Sequence, residues 1–122
     1  MSKRGLQELL EDIIEAIKRT QEYIRGQDYP AFLKDKKSQD AVTRNLEIIG
    51  ESVKHITTGL NKERNEIEWK EIAGMRDRII HHYFGIQWEI VWSVIKDKIP
   101  QLKAKIEEIL KQYQKELSNS FA

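Results

Sequence analysis

Two of the chain's three histidines fall in one short stretch, Arg76-Asp77-Arg78-Ile79-Ile80-His81-His82-Tyr83, beside two arginines and a phenol. An unperturbed imidazole titrates at about 6.5, so it can give or take a proton at neutral pH. A guanidinium stays charged and can hold two phosphate oxygens in a planar fork. A proton carrier beside an oxyanion clamp is the equipment needed to cleave a phosphodiester without a metal. Helical geometry sets a condition on that chemistry. Arg76 and His81 stand ~140° apart around an ideal helix and do not share a face. They converge if the helix distorts, if the long arginine wraps, or if a cleft gathers both edges, as a two-fold dimer built around this helix would do. Asp77, Arg78 and His81 lie close together, Arg76 aligns with Ile80 and Tyr83, and His82 is turned ~100° from His81. A purely structural alternative stays open. Basic residues near a helix C-terminus satisfy its last carbonyls and complement its dipole, and Tyr83 can be a half-buried aromatic.

The elements that must position this stretch are helical. Leu6, Leu9, Leu10, Ile13, Ile14 and Ile17 recur at helical spacing and predict an amphipathic helix reaching about Arg25, where Gly26 ends it. Residues 27–38 carry Asp28, Pro30 and the lysines 34, 36 and 37, and read as a loop anchored by Tyr29 and Phe32. A second helix opens near Ser38 or Asp40. Val42, Leu46, Ile49, Val53 and Ile56 form its seam, Gly50 allows close approach of a neighbour, and Gly59 stops it. After a polar connector, a third helix runs from about Trp69 to Phe84, with Ile72, Met75, Ile79 and Ile80 as its apolar residues and the Arg/His stretch at its end. A short apolar helix follows on Trp88, Val91, Trp92 and Ile95. Pro100 then opens the last helix, whose face is Leu102, Ile106, Ile109, Leu110 and Tyr113 and which frays by Ser118. No alternating strand pattern, repeat or low-complexity tract interrupts this. The expected architecture is an all-α bundle of four main helices plus a short fifth, one domain over residues 1–122 with a frayed tail at 118–122.

Composition narrows the function. The 122 residues are 39% apolar and 34% charged, which suits a folded core rather than a disordered chain. With no cysteine, disulfide staples, thiol catalysis and thiolate metal sites are excluded. The 21 basic and 20 acidic side chains leave a net charge of +1, so binding to nucleic acid must come from a local patch. No apolar run approaches the ~20 residues of a membrane span, and Met1-Ser2-Lys3-Arg4 leads into no secretory segment; a cytoplasmic protein without membrane contact is expected.

Three further groups invite rival readings. Glu47, Glu51 and His55 follow one another at four-residue steps on one helix face. Carboxylate-bridged metal bundles use a Glu-x-x-His pair from each of two helices instead, so no metal is expected here. Lys34, Lys36 and Lys37 read as a solvated run, with contact to RNA phosphates as the alternative. Trp88 and Trp92 share a face with Ile95 and read as core or dimer interface rather than as stacking platforms.

The pattern around the motif resembles the HEPN superfamily, closest to its HepT-like branch, where Arg-x4-His-x-Tyr closes the third helix. Here those positions are Arg76, His81 and Tyr83. The likeness extends to Asp40-Ala41-Val42-Thr43-Arg44-Asn45-Leu46-Glu47-Ile48-Ile49-Gly50-Glu51, to Trp69-Lys70-Glu71-Ile72-Ala73-Gly74-Met75 and to Trp88-Glu89-Ile90-Val91-Trp92. It covers the chain from the first helix to about Leu110. One departure is Asp77, where the family commonly has Asn; its negative charge weakens local attraction for phosphate. The resemblance implies a HEPN-like bundle, a homodimer with the motif lining a cleft between protomers, and a ribonuclease needing no metal or other cofactor. It implies a type VII-like toxin whose substrate is RNA, with tRNA among the candidates. The implied partner is a minimal nucleotidyltransferase antitoxin of the MntA type, which uses ATP to place AMP on Tyr83. The expected roles are catalysis by Arg76 and His81 with support from Asp77, Arg78 and His82. The rival reading is a non-catalytic subunit that binds the nucleotidyltransferase.

Overall fold

The computed structural model describes residues 3–57, Gly74 and residues 85–120. Every regular element among them is helical. The first helix, α1, spans Lys3–Tyr23 and buries Leu6, Leu10, Ile13, Ile14, Ala16 and Ile17 along the stripe the sequence predicts. Thr20 is also buried, and its hydroxyl donates back to the Ala16 carbonyl at 2.8 Å, so no polar atom is stranded there. The chain then turns through Gly26, whose φ of 77° lies in the left-handed region that glycine enters without steric cost.

Residues 29–34, expected to be loop, form a short helix, α2, Tyr29–Lys34. Its start is built from local chemistry: Asp28 accepts the Ala31 amide at 2.9 Å, and Pro30 sits in the first turn, where its missing N–H costs nothing. Its end is satisfied by a neighbour, because the Gln39 amide group donates to the Phe32 carbonyl at 3.0 Å and to that of Leu33 at 3.1 Å. What holds so short a helix is Phe32, fully buried against Trp88 and Trp92 with ring centroids 5.8 and 5.1 Å away.

The second long helix, α3, spans Lys36–Thr57 and begins earlier than the sequence suggests, with Asp35 as its cap rather than Ser38 or Asp40. Asp35 Oδ1 accepts the Ser38 amide at 3.1 Å; Oδ2 accepts the Ser38 hydroxyl at 2.7 Å and the Gln27 amide group at 2.8 Å. These donors, the Ser38 hydroxyl foremost, hold the Asp35 carboxyl below its ordinary value. A depressed carboxylate adds stability above its unfolded pKa and loses it as pH falls through the folded pKa. Asp35→Ala is therefore expected to lower the melting temperature at pH 7, and the gap from wild type should close on acidification below about pH 4. A gap that persists at low pH would show that the ionised cap is not its source.

Val42, Leu46, Ile49, Val53 and Ile56 are all fully buried, and α3 packs along α1. Gly50 is buried in the same helix, where close approach was expected. The C-terminal part departs from expectation in one respect. The next described helix, α4, Trp88–Ser93, does not stop before Pro100 but runs through a π-helical segment, Val94–Lys98, into α5, Ile99–Ser120. Pro100 has no N–H to pair four residues back, and its ring would press on that carbonyl. Widening the preceding turn, so that the Ile99 amide bonds to the Val94 carbonyl, relieves the conflict without breaking the rod. Val91, Ile95, Ile99, Leu102, Ile106, Ile109 and Tyr113 thus line one continuous buried edge, and α5 packs on α1. The core is a single cluster shared by α1, α3, α4 and α5, with Phe32 from α2 joining it. The fold is all-α.

Candidate functional site

The residues expected to do chemistry, Arg76, Asp77, Arg78, His81, His82 and Tyr83, lie outside the described residues, as do the expected third helix apart from Gly74 and the polar connector before it. What the structure gives is the frame on either side. Upstream, α3 is locked to α1 by its buried seam as far as Ile56. Downstream, the chain re-enters an anchored element five positions after Tyr83, at Trp88.

That anchor is an aromatic cluster. Trp88 meets Phe32 edge-on at 78°, Trp92 lies tilted against Phe32 and against Tyr29 with a centroid distance of 6.1 Å in the latter pair, and the Lys96 ammonium sits 5.4 Å over the Trp92 ring. Desolvation, and then the charge of Glu89, push the Tyr29 phenol above its ordinary value. Both tryptophans are partly buried and pack against the core, as their shared face with Ile95 predicts. The cluster is structural glue at the edge of the motif segment.

Of the rival groups, Glu51 and His55 approach to 3.7 Å as an exposed i,i+4 pair, an ion pair only when the imidazole is protonated. Among the described residues no three metal-ligating side chains gather. Lys34, Lys36 and Lys37 are exposed, but they sit on helix termini rather than in a loop. Asp35 escaped the sequence reading altogether, although its Asp-x-x-Ser spacing to Ser38 carried the signal of a cap. Among the described residues no helix is long and apolar enough to cross a membrane.

The model of the family described as "HepT-like: Ribonuclease HepT-like" matches residues 13–109, a span that includes Arg76 to Tyr83. A Thermococcus cleftensis protein named "Probable ribonuclease HepT" is 46% identical over 109 residues, covering 89% of this chain and 99% of its own. A Methanocaldococcus jannaschii protein named as a candidate RNase is 41% identical over 120 residues, covering 98% of this chain and 99% of its own. A second protein of that organism, named as a gamma-glutamylcyclotransferase and candidate RNase, is 38% identical over 112 residues; the match covers 92% of this chain and 50% of that longer one. No solved structure matches. A match over most of the chain, with relatives aligned nearly end to end, leads to one conclusion: the chain belongs to the HepT-like ribonuclease family, an all-α HEPN group.

Proposed function

We propose that this chain is a metal-independent endoribonuclease, the toxin of a type VII-like toxin–antitoxin pair, with Arg76 and His81 at the scissile phosphate. The observation that supports this reading is that a ribonuclease family model spans the one stretch where an arginine, an imidazole and a phenol occur together. RNA carries its own nucleophile, the 2′-hydroxyl. In this reading its oxygen attacks the adjacent phosphorus, the bond to the 5′ oxygen breaks, and a cyclic phosphate and a 5′-hydroxyl result. His81 takes the proton from the attacking hydroxyl or returns one to the departing oxygen. Arg76 neutralises the charge that grows on the non-bridging oxygens, a role worth ~3–4 kcal/mol for a single donor. Asp77 orients the imidazole, while Arg78 and His82 hold a neighbouring phosphate. A homodimer supplies the groove, since each protomer brings the same patch to a two-fold axis and the opposed edges of the helix meet there.

The experiment is incubation of the purified chain with total tRNA in excess chelator, followed by mapping of the product ends. Cleavage leaving cyclic phosphates is expected. Intact RNA at every protein concentration would overturn the enzymatic reading and leave the nucleotidyltransferase-binding subunit in its place.

Regulation belongs to the same proposal. The Tyr83 phenol oxygen attacks the α-phosphorus of ATP in the nucleotidyltransferase partner; the O–P bond forms, the α–β bridge breaks, pyrophosphate leaves and the phenol proton passes to a base. The added charge and adenosine then compete with RNA at the motif. Mixing the chain with ATP and its cognate partner should add AMP-sized increments to the intact mass and lower RNA cleavage in proportion. Tyr83→Phe should remain unmodified and active in that mixture. An unchanged mass in the wild type would remove this step.

A further inference from the structure

We infer that Lys34, Lys36 and Lys37, at the junction of α2 and α3, form a docking patch for the phosphate backbone of the RNA substrate, apart in sequence from the Arg76–Tyr83 motif; this rests on the ribonuclease reading above. The three lysines close one helix and open the next, Lys34 ending α2 and Lys36 and Lys37 beginning α3. All three are exposed. Asp35, the acid between them, is engaged elsewhere than with their ammonium groups: its two oxygens take hydrogen bonds from the Ser38 amide, the Ser38 hydroxyl and the Gln27 amide group. Asp40 stands one helical turn on, yet among the described residues no ion pair engages any of the three ammonium groups.

Folding accounts for Lys34, a cation in the last turn of α2, but not for where Lys36 and Lys37 stand. The first turn of a helix carries the positive end of its dipole, which favours acids and opposes cations. α3 nevertheless has no acidic residue in its first turn and opens on two lysines. Its end amides are served by Asp35, so the lysines contribute nothing to capping and the amides play no part in the patch. Residues that cost a helix some stability and bring no packing in return are the kind retained for binding. The exposed surface of α1 mixes the two signs, with Glu8, Glu11, Asp12 and Glu15 followed by Lys18 and Arg19. With a net charge of only +1, the chain must attract a polyanion locally, and this corner sets Lys34, Lys36 and Lys37 close together and exposed.

The test compares the full wild-type chain with Lys34→Gln/Lys36→Gln/Lys37→Gln and with a control of equal charge change on exposed helix faces elsewhere, Lys18→Gln/Lys111→Gln/Lys115→Gln. The probe is a fluorescein-labelled single-stranded RNA of mixed sequence, titrated by anisotropy over a range of salt. Loss of three phosphate contacts should flatten the log–log salt slope by about 2 and weaken binding roughly tenfold or more at low salt. In cleavage assays KM should rise with kcat unchanged, and the melting temperature should stay level or increase. Unchanged affinity and slope in the patch variant, or an equal loss in the control, would overturn the inference while leaving the ribonuclease reading intact. A wild type that cleaves no RNA but still binds it through these lysines would sink that reading alone. Failure of the wild type to bind RNA would sink both.

Discussion

His81→Ala is expected to lower kcat/KM for RNA cleavage by about 10²–10⁴-fold, the range of a positioned general acid or base. Arg76→Ala should cost about 10²–10³-fold, as removal of one oxyanion donor does. In the proposed mechanism both losses fall on kcat, because the two groups are assigned to charge and protons that exist only in the transition state. The structural alternative, in which these residues merely complement a helix end, predicts the reverse pattern. Removing a capping or dipole interaction would lower the melting temperature and leave the turnover of folded protein untouched. Kinetics and melting of the same two variants therefore separate the readings. His82→Ala should cost less than His81→Ala, because helical spacing sets neighbouring residues ~100° apart and the proposed proton transfer is given to His81.

The largest effect on stability is expected at Phe32. Its side chain is wholly buried and touches Trp88 and Trp92, so it joins α2 to α4. Replacing such a phenylalanine by alanine costs about 3–5 kcal/mol, the transfer energy of the ring plus the cavity it leaves. Against a total of ~5–15 kcal/mol for a natural domain, that is a large share. Phe32→Ala should lower the urea midpoint accordingly, with the emission of the tryptophans reporting a more hydrated cluster before global unfolding. A loss below about 1 kcal/mol would mean that α2 is not held by this ring. Phe32→Leu, which refills part of the space, should recover some of the loss.

The long helices were readable because burial imprints its period on the sequence. The five seam residues of α3, from Val42 to Ile56, are each fully buried, and the stripe of α1 lies against them. Elements held by tertiary contacts were not readable. α2 is six residues long, too short to show a period, and its Pro30 and Asp28 resemble loop residues until Phe32 is seen in its pocket. The π segment before Pro100 was hidden for a related reason: the proline signals a break, whereas the apolar face on both sides continues and the turn widens instead. At the site, residue types could be read and convergence could not. Arg76, His81 and Tyr83 name a chemistry, but on an ideal helix Arg76 and His81 stand ~140° apart, and residue spacing does not say whether distortion, a wrapping arginine or a shared cleft brings them together.

Whether Arg76 and His81 act together on one phosphate is read out by a double-mutant cycle in RNA cleavage. Groups that work as a unit are strongly non-additive. If they share that phosphate, Arg76→Ala/His81→Ala is expected to be about as slow as the worse single variant. A double variant whose loss equals the product of the two single losses would place the guanidinium and the imidazole in independent roles, and would rule out joint action.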